Sequence, residues 1–228
     1  MEWKRGGKMR KKALVVAVVA IAVVAIFVVF VEKENVISPA PTPSEPMRGR
    51  NILMVIAPED FRDEELFEPK EIFEKKGAEV TIASTTTEMA KGMFGRTIKP
   101  DLRISDVNVE DYDAIVIVGG AGSKEYLWDD KELRAMVKEA YNKNKVLAAI
   151  CLSPVVLAKA GILDGKKATV FPHKEAIDEL KKNGAYYVDE NVVVSDNVIT
   201  GRDTESTEEF SLKICDALLS HEEMEGNQ

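Results

Sequence analysis

The chain is poor in the residues that most often announce chemistry. Its 228 residues include two cysteines and two histidines. Two cysteines cannot build a disulfide framework or a four-thiolate zinc site. Two histidines far apart in the chain argue against an imidazole-based metal centre. Glutamine occurs once, as Gln228, beside many Lys and Glu, a balance that fits a heat-adapted source. A basic surface is missing too. The net charge is −8; residues 1–12, MEWKRGGKMRKK, carry +5 (six Lys or Arg, one Glu), which leaves −13 on the remainder. A domain that acidic lacks the footprint that nucleic acid requires. Charged residues make up 31% and hydrophobic ones 45%. Those fractions exclude a polytopic membrane protein and a disordered chain.

What is present is unevenly distributed. Residues 13–31, ALVVAVVAIAVVAIFVVFV, contain no polar side chain. At about 1.5 Å per residue a helix of that length spans nearly 30 Å, the hydrocarbon thickness of a bilayer. The basic flank at residues 1–12 places the N-terminus in the cytoplasm and the rest of the chain outside. A cleaved signal peptide is the competing reading. Its apolar core usually runs to about 7–15 residues and ends in a small-x-small site, and VEKENVIS offers none. The single-pass anchor is therefore the favoured expectation. Residues 38–46, SPAPTPSEP, hold four prolines, which favour extended backbone. The expected organisation is a basic cytoplasmic tail (1–12), a transmembrane helix (13–31), a Pro-rich linker (32–49), one α/β domain (50–221) and a polar tail (222–228).

From residue 50 onward, short apolar runs alternate with helical patterns. Residues 51–57 (NILMVIA), 114–118 (AIVIV) and 145–150 (KVLAAI) read as strands buried on both faces. Residues 63–76 place Leu66, Pro69, Ile72 and Phe73 on one side of a helix, with Gly77 as its stop. A strand is expected at 79–83, helices near 130–143, 154–160, 173–182 and 205–219, and strand at 191–200. Residues 92–105 suggest a small hairpin. This alternation predicts an α/β fold with a mostly parallel sheet covered on both faces. In such sheets the ligand site lies beyond the carboxyl ends of the strands. The loops after Ala57, Val118 and Ile150 are the ones in question.

The third of these loops carries the clearest chemical signal. A buried strand runs straight into Cys151-Leu152-Ser153-Pro154, and Pro154 is suited to open a helix. The cysteine is thereby placed on a sharp strand-to-helix turn, similar to a nucleophile elbow. A helix N-terminus favours a thiolate, so a lowered pKa is the expectation there. From spacing alone, a reactive thiol and an inert core cysteine both remain open. Cys215 lies mid-helix among Phe210, Ile214 and Leu218 and reads as core.

Gly119-Gly120 after a buried strand, AIC at 149–151, Pro154 and Thr200-Gly201-Arg202 together resemble the PfpI-type intracellular protease family. Its superfamily also contains deglycases and glyoxalases. The resemblance spans residues 50–220. It implies a flavodoxin-like three-layer sandwich, a homodimer or larger homo-oligomer, and a cysteine nucleophile assisted by a glutamate from the loop after the first strand. Glu65 and Pro69 match the family's Glu-x-x-x-Pro pattern, which makes Glu65 that residue. The resemblance also implies an oxyanion pocket made by the backbone N–H groups of Gly120 and Leu152. Neither a metal nor an organic cofactor is expected.

The sequence departs from the family at several points. Protease-type members have histidine directly after the cysteine, where this chain has Leu152. That disfavours peptidase activity. Ser153 stands where many members have glycine, which suggests a less free turn. Deglycase-like members often carry a histidine before a proline; here Phe171 precedes Pro172, and His173 is the nearest imidazole. His173 is either a site residue or a surface residue at a helix start. His221 lies in a polar stretch, and the His-x-Glu pair of glutamine amidotransferases is missing. The expected function is a membrane-anchored cysteine enzyme acting on small reactive carbonyls or glycated groups. The alternative is a redox-sensing or binding module that uses Cys151 without turnover.

Overall fold

The computed structural model describes residues 45–225. The expected tail 1–12, the expected transmembrane helix 13–31, residues 32–44 of the linker, the last residues of the polar tail and the His221 side chain lie outside the described residues. Among the described residues, no helix is long and apolar enough to cross a membrane.

Among the described residues, twelve strands and five α-helices follow one another. The strands are β1 Asn51–Val55, β2 Glu59–Phe61, β3 Glu79–Ser84, β4 Ala90–Gly92, β5 Thr97–Ile98, β6 Leu102–Arg103, β7 Ala114–Ile117, β8 Val146–Ile150, β9 Lys167–Ala168, β10 Tyr186–Tyr187, β11 Val192–Ser195 and β12 Val198–Gly201. The helices are α1 Asp63–Lys75, α2 Lys131–Asn142, α3 Pro154–Lys159, α4 Lys174–Lys182 and α5 Thr207–Glu225. Seven strands form the main sheet in the order β11-β12-β8-β7-β1-β3-β6. All neighbours in it pair parallel except β11 with β12.

Alternation along the strands divides the core into two layers. Ile52, Met54, Val116, Ala148 and Ile150 face one side, where they pack with Leu66 and Phe73 of α1 and Phe210 and Ile214 of α5. Leu53, Val55, Ile115, Ile117, Leu147 and Ala149 face the other, against α2, α3 and α4. The result is helix on sheet on helix, as the apolar runs imply. Burying one such aliphatic side chain contributes about 1.5–3 kcal/mol, which is why the central strands are apolar at their fully buried positions.

Helix ends obey local chemistry. Asp130 caps α2 by accepting the Leu133 N–H at 2.7 Å. Gly77, at φ +94°, ends α1, and Ala78 N–H returns to the Phe73 carbonyl at 3.1 Å. Pro69 lies in the second turn of α1 and is buried.

Several boundaries differ from the sequence expectation. The ordered fold starts before residue 50: Met47 is fully buried, and its N–H donates to the Lys76 carbonyl at 2.8 Å. Helix α5 continues to Glu225, into the expected polar tail. The expected hairpin is β4–β5, which pairs antiparallel and adds β2 as a third strand. Residues 102–103 leave it to join the edge of the main sheet as β6.

Chain order sets the position of the site. From β1 the chain moves to β3 on one side, and later to β7 and β8 on the other. The switch therefore falls between β1 and β7. In open parallel sheets that is where the loops diverge and ligands bind, at the carboxyl ends of the strands.

Candidate active site

Cys151 follows β8 directly and adopts φ +62°. For a residue with a side chain that backbone costs about 1–2 kcal/mol, so it persists only where neighbours hold it. Here they do. Cys151 N–H donates to the Gly201 carbonyl at 3.0 Å, continuing the β8–β12 ladder. Ser153 N–H closes the turn on the Ile150 carbonyl at 3.1 Å, and Phe171 N–H donates to the Cys151 carbonyl at 2.9 Å. Trp128 Nε1 donates to the Leu152 carbonyl at 2.8 Å.

Ser153, expected to make the turn less free, proves to be a tie. It is helical in backbone, at φ −77°, and fully buried. Its Oγ donates to the Val118 carbonyl at 2.7 Å. Its hydrogen is thus committed, so the Ser123 hydroxyl donates to Ser153 Oγ at 2.7 Å. The two hydroxyls join the elbow to the loop after β7.

Glu65 comes from the first turn of α1 and is fully buried. Its Oε1 accepts from Thr204 Oγ1 at 3.2 Å. The Cys151 thiol and the Gly119 amide lie close enough to bias the carboxyl, yet neither completes an aligned hydrogen bond to Oε2. Burial pushes Glu65 up from 4.5 to about 7; the thiol, the Thr204 hydroxyl, Arg62 and the Gly119 amide each offset part of that rise.

This proximity depends on Gly119. A Cβ there would stand 2.4 Å from Glu65 Oε2 and 2.5 Å from Cys151 Cβ, inside any tolerable contact. Gly120 adopts φ +103°, a left-handed backbone that glycine takes without strain. The N–H groups of Gly120 and Leu152 both favour negative charge on Cys151.

The expectation of a lowered thiol pKa is corrected. Cys151 is pushed up to about 12, first by burial and then by the charge of Glu65; the Gly120 and Leu152 amides only partly oppose this. The helix after the elbow, α3, has six residues, and its N-terminal field does not outweigh desolvation.

His173 is not brought to this pair. It is exposed, precedes α4 without a side-chain cap, and its charge bears on Glu175 instead. The elbow's neighbour from that loop is Phe171, which is 41% exposed. Leu152 is half-buried and packs against both core layers. Among the described residues, no three His, Cys, Asp or Glu side chains group as metal ligands. Cys215 is buried in the α5 layer, and both cysteines are free thiols.

Sequence reasoning passed over Thr204, Gly119's close approach, Trp128 and the Ser123–Ser153 pair. Only Thr204 has a local signal nearby, the Asp203-x-x-Ser206 cap of the turn that holds it.

Fold and site together define a class: a parallel α/β sandwich with a cysteine elbow and a buried glutamate at the sheet's switch point. A family model described as the DJ-1/PfpI family matches residues 50–217. The chain belongs to that family. An uncharacterized protein of Methanocaldococcus jannaschii is 57% identical over 179 residues, covering 78% of this chain and 87% of that one. A glutathione-independent glyoxalase of Caenorhabditis elegans is 31% identical over 169 residues, covering 74% and 89%. Among solved structures, a ThiJ/PfpI domain protein from Brachyspira murdochii matches with a TM-score of 0.72 at 34% identity, covering 76% of this chain and 98% of that one.

Proposed function

We propose that the domain is a cysteine-dependent enzyme acting on small reactive carbonyls or glycated groups, in the manner of a glyoxalase or deglycase. The observation that carries this reading is the buried Glu65 carboxyl beside the Cys151 thiol, with the Gly120 and Leu152 amides turned to the sulfur. A C. elegans relative named as a glyoxalase supports it.

A thiol pushed up to about 12 does not act as a preformed thiolate. It needs a base at the moment of attack, and a carboxyl near 7 is matched to that task at neutral pH. With methylglyoxal, the sulfur bonds to the aldehyde carbon while the thiol proton passes through Glu65 to the carbonyl oxygen, which gives a hemithioacetal. Glu65 then moves the proton on that carbon to the neighbouring ketone carbon. The C–H electron pair passes through an enediol into the new C–H bond, the hemithioacetal hydroxyl proton moves to the former ketone oxygen, and the carbon that bears the sulfur becomes the carbonyl of a thioester. Water cleaves the thioester, releases lactate and restores the thiol. The sum is methylglyoxal plus water, with no external oxidant or reductant. The Gly120 and Leu152 amides stabilise the oxyanion at each addition.

The second reading, a redox-sensing thiol without turnover, draws on Leu152 in place of the family histidine and on the exposure of His173. Peptide hydrolysis is the weakest reading for the same reason. The domain is further proposed to be anchored through residues 13–31, with its site outside the cytoplasm. It is also proposed to form a homodimer or larger assembly, for which exposed Met89, Met93 and Phe94 offer apolar surface.

The test is methylglyoxal consumption by the wild type and by Cys151→Ala. The expected outcome is lactate formation by the wild type and a loss of at least 100-fold in the variant, a typical cost of removing a covalent nucleophile. Equal rates would rule out the enzyme reading.

A further inference from the structure

The loop after β12 brings a hydroxyl to the carboxyl. Thr204 opens a short turn, Thr204–Ser206, that is tied down by its own cap: Asp203 Oδ1 accepts the Glu205 N–H at 3.1 Å, and Ser206 Oγ accepts the Asp203 N–H at 3.2 Å. The cap makes no use of the Thr204 side chain. Its hydroxyl crosses to Glu65 Oε1 at 3.2 Å, between residues 139 positions apart. The other carboxyl oxygen, Oε2, is buried without a hydrogen-bond partner, and it is the oxygen that crowds Gly119 together with Cys151 Cβ.

A carboxyl whose Oε1 already accepts a hydrogen bond is best satisfied when a proton sits on the other oxygen. We infer that Thr204 is a positioning residue for Glu65: its hydroxyl occupies Oε1 and so directs the carboxyl proton to Oε2, toward the Cys151 sulfur. This rests on the reading of Glu65 as the proton carrier and adds to it the element that decides which oxygen does the work. Four elements bear on the carboxyl. The elbow contributes the Cys151 thiol, and the loop after β7 contributes the Gly119 amide. The β2–α1 junction contributes Arg62, whose Nε is paired with Glu64 Oε2 at 2.9 Å. The loop after β12 contributes Thr204, with Asp203 turned to Arg202 Nε at 2.9 Å.

A donated hydroxyl hydrogen favours the ionised carboxylate over the acid. Its loss therefore raises the pH at which the pair gives up its first proton. The experiment measures the rate of Cys151 alkylation by iodoacetamide from pH 5 to pH 9, by mass spectrometry of the Cys151 peptide, on the full chain in detergent. The wild-type rate is expected to rise with a midpoint near 7. In Thr204→Val the midpoint moves up by about half a unit to one unit, the scale of one hydrogen bond. The rate at pH 6.5 then falls severalfold. Thr204→Ser restores the wild-type midpoint. Thr204→Ala repeats the loss without the branched side chain, so a folding defect in the Val variant leaves the comparison intact. A midpoint unchanged in both Val and Ala variants, or not restored by Ser, overturns the inference. Glu65→Gln separates the two levels: if it too leaves the profile unchanged, the proton-carrier reading falls and Thr204 falls with it.

Discussion

Cys151 and Cys215 are the two cysteines of the chain, and by the usual criteria they look alike. Both are buried, at 9% and 2% exposure. Burial pushes both thiols up, to about 12 and about 11. What separates them is their neighbourhood. Cys215 sits within a helix among Phe210, Ile214 and Leu218, where Lys76 and Asp216 act on it only through their charge and no side-chain hydrogen bond bears on its thiol. Cys151 sits where a strand ends, in a left-handed backbone, between a buried carboxyl and two amides. Neither exposure nor acidity distinguishes Cys151 from Cys215; a buried carboxyl and converging amides do.

Three substitutions bear on that comparison. The largest effect is expected from Glu65→Gln, which leaves Cys151 as isolated as Cys215. Turnover should drop by about 100-fold to 10,000-fold, the range for losing a general acid–base group. A stability signature accompanies it. Glu65 ionises near 7 in the fold against 4.5 ordinarily, so between those values the folded chain holds a proton that the unfolded chain has released. Stability from this group is full below pH 4.5 and declines as pH rises toward 7, by roughly 3 kcal/mol at most. In the Gln variant that decline should vanish from denaturant midpoints recorded between pH 4 and pH 8.

Gly119→Ala comes next. The added methyl would meet both Glu65 Oε2 and Cys151 Cβ, and the pair must separate. A displacement on the order of 1 Å can cost 100-fold in rate, which steady-state assays would register with the thiol and carboxyl both present. Wild-type activity in this variant would break the claim that proximity distinguishes Cys151.

The smallest effect belongs to the other cysteine. Cys215→Ala removes a buried sulfur from a packed layer and should cost about 1–2 kcal/mol in a thermal melt. Turnover should stay within twofold. A larger loss of activity would give Cys215 a part in the chemistry.

Much of the architecture was legible in the sequence, for one physical reason. Strands buried on both faces must be apolar throughout, so NILMVIA, AIVIV and VLAAI stand out without any alignment. Pairings of two or three residues, such as β9 with β10, carry no such pattern because tertiary contacts create them. The elbow was legible because strand, cysteine and proline are consecutive. Its electrostatics were not: the expected low thiol pKa weighed a helix N-terminus and missed the burial that overrides it. Thr204 was not legible as a partner of Glu65, since no local pattern reports a contact between distant loops. His173 stood open between a site and a surface position in the sequence; its side chain is exposed, and the backbone N–H of Phe171 is what docks on the elbow.

Met47 has a further consequence. It plugs the core beside the end of α1, just ahead of β1, and so lies at the rim where the parallel strands begin. Cys151 lies at the rim where β8 ends. Five residues of strand at about 3.3 Å each put roughly 17 Å between those rims. The sheet thus acts as a spacer that holds Met47 and the Cys151 thiol at opposite rims, so a change at one reaches the other only through the length of the strands.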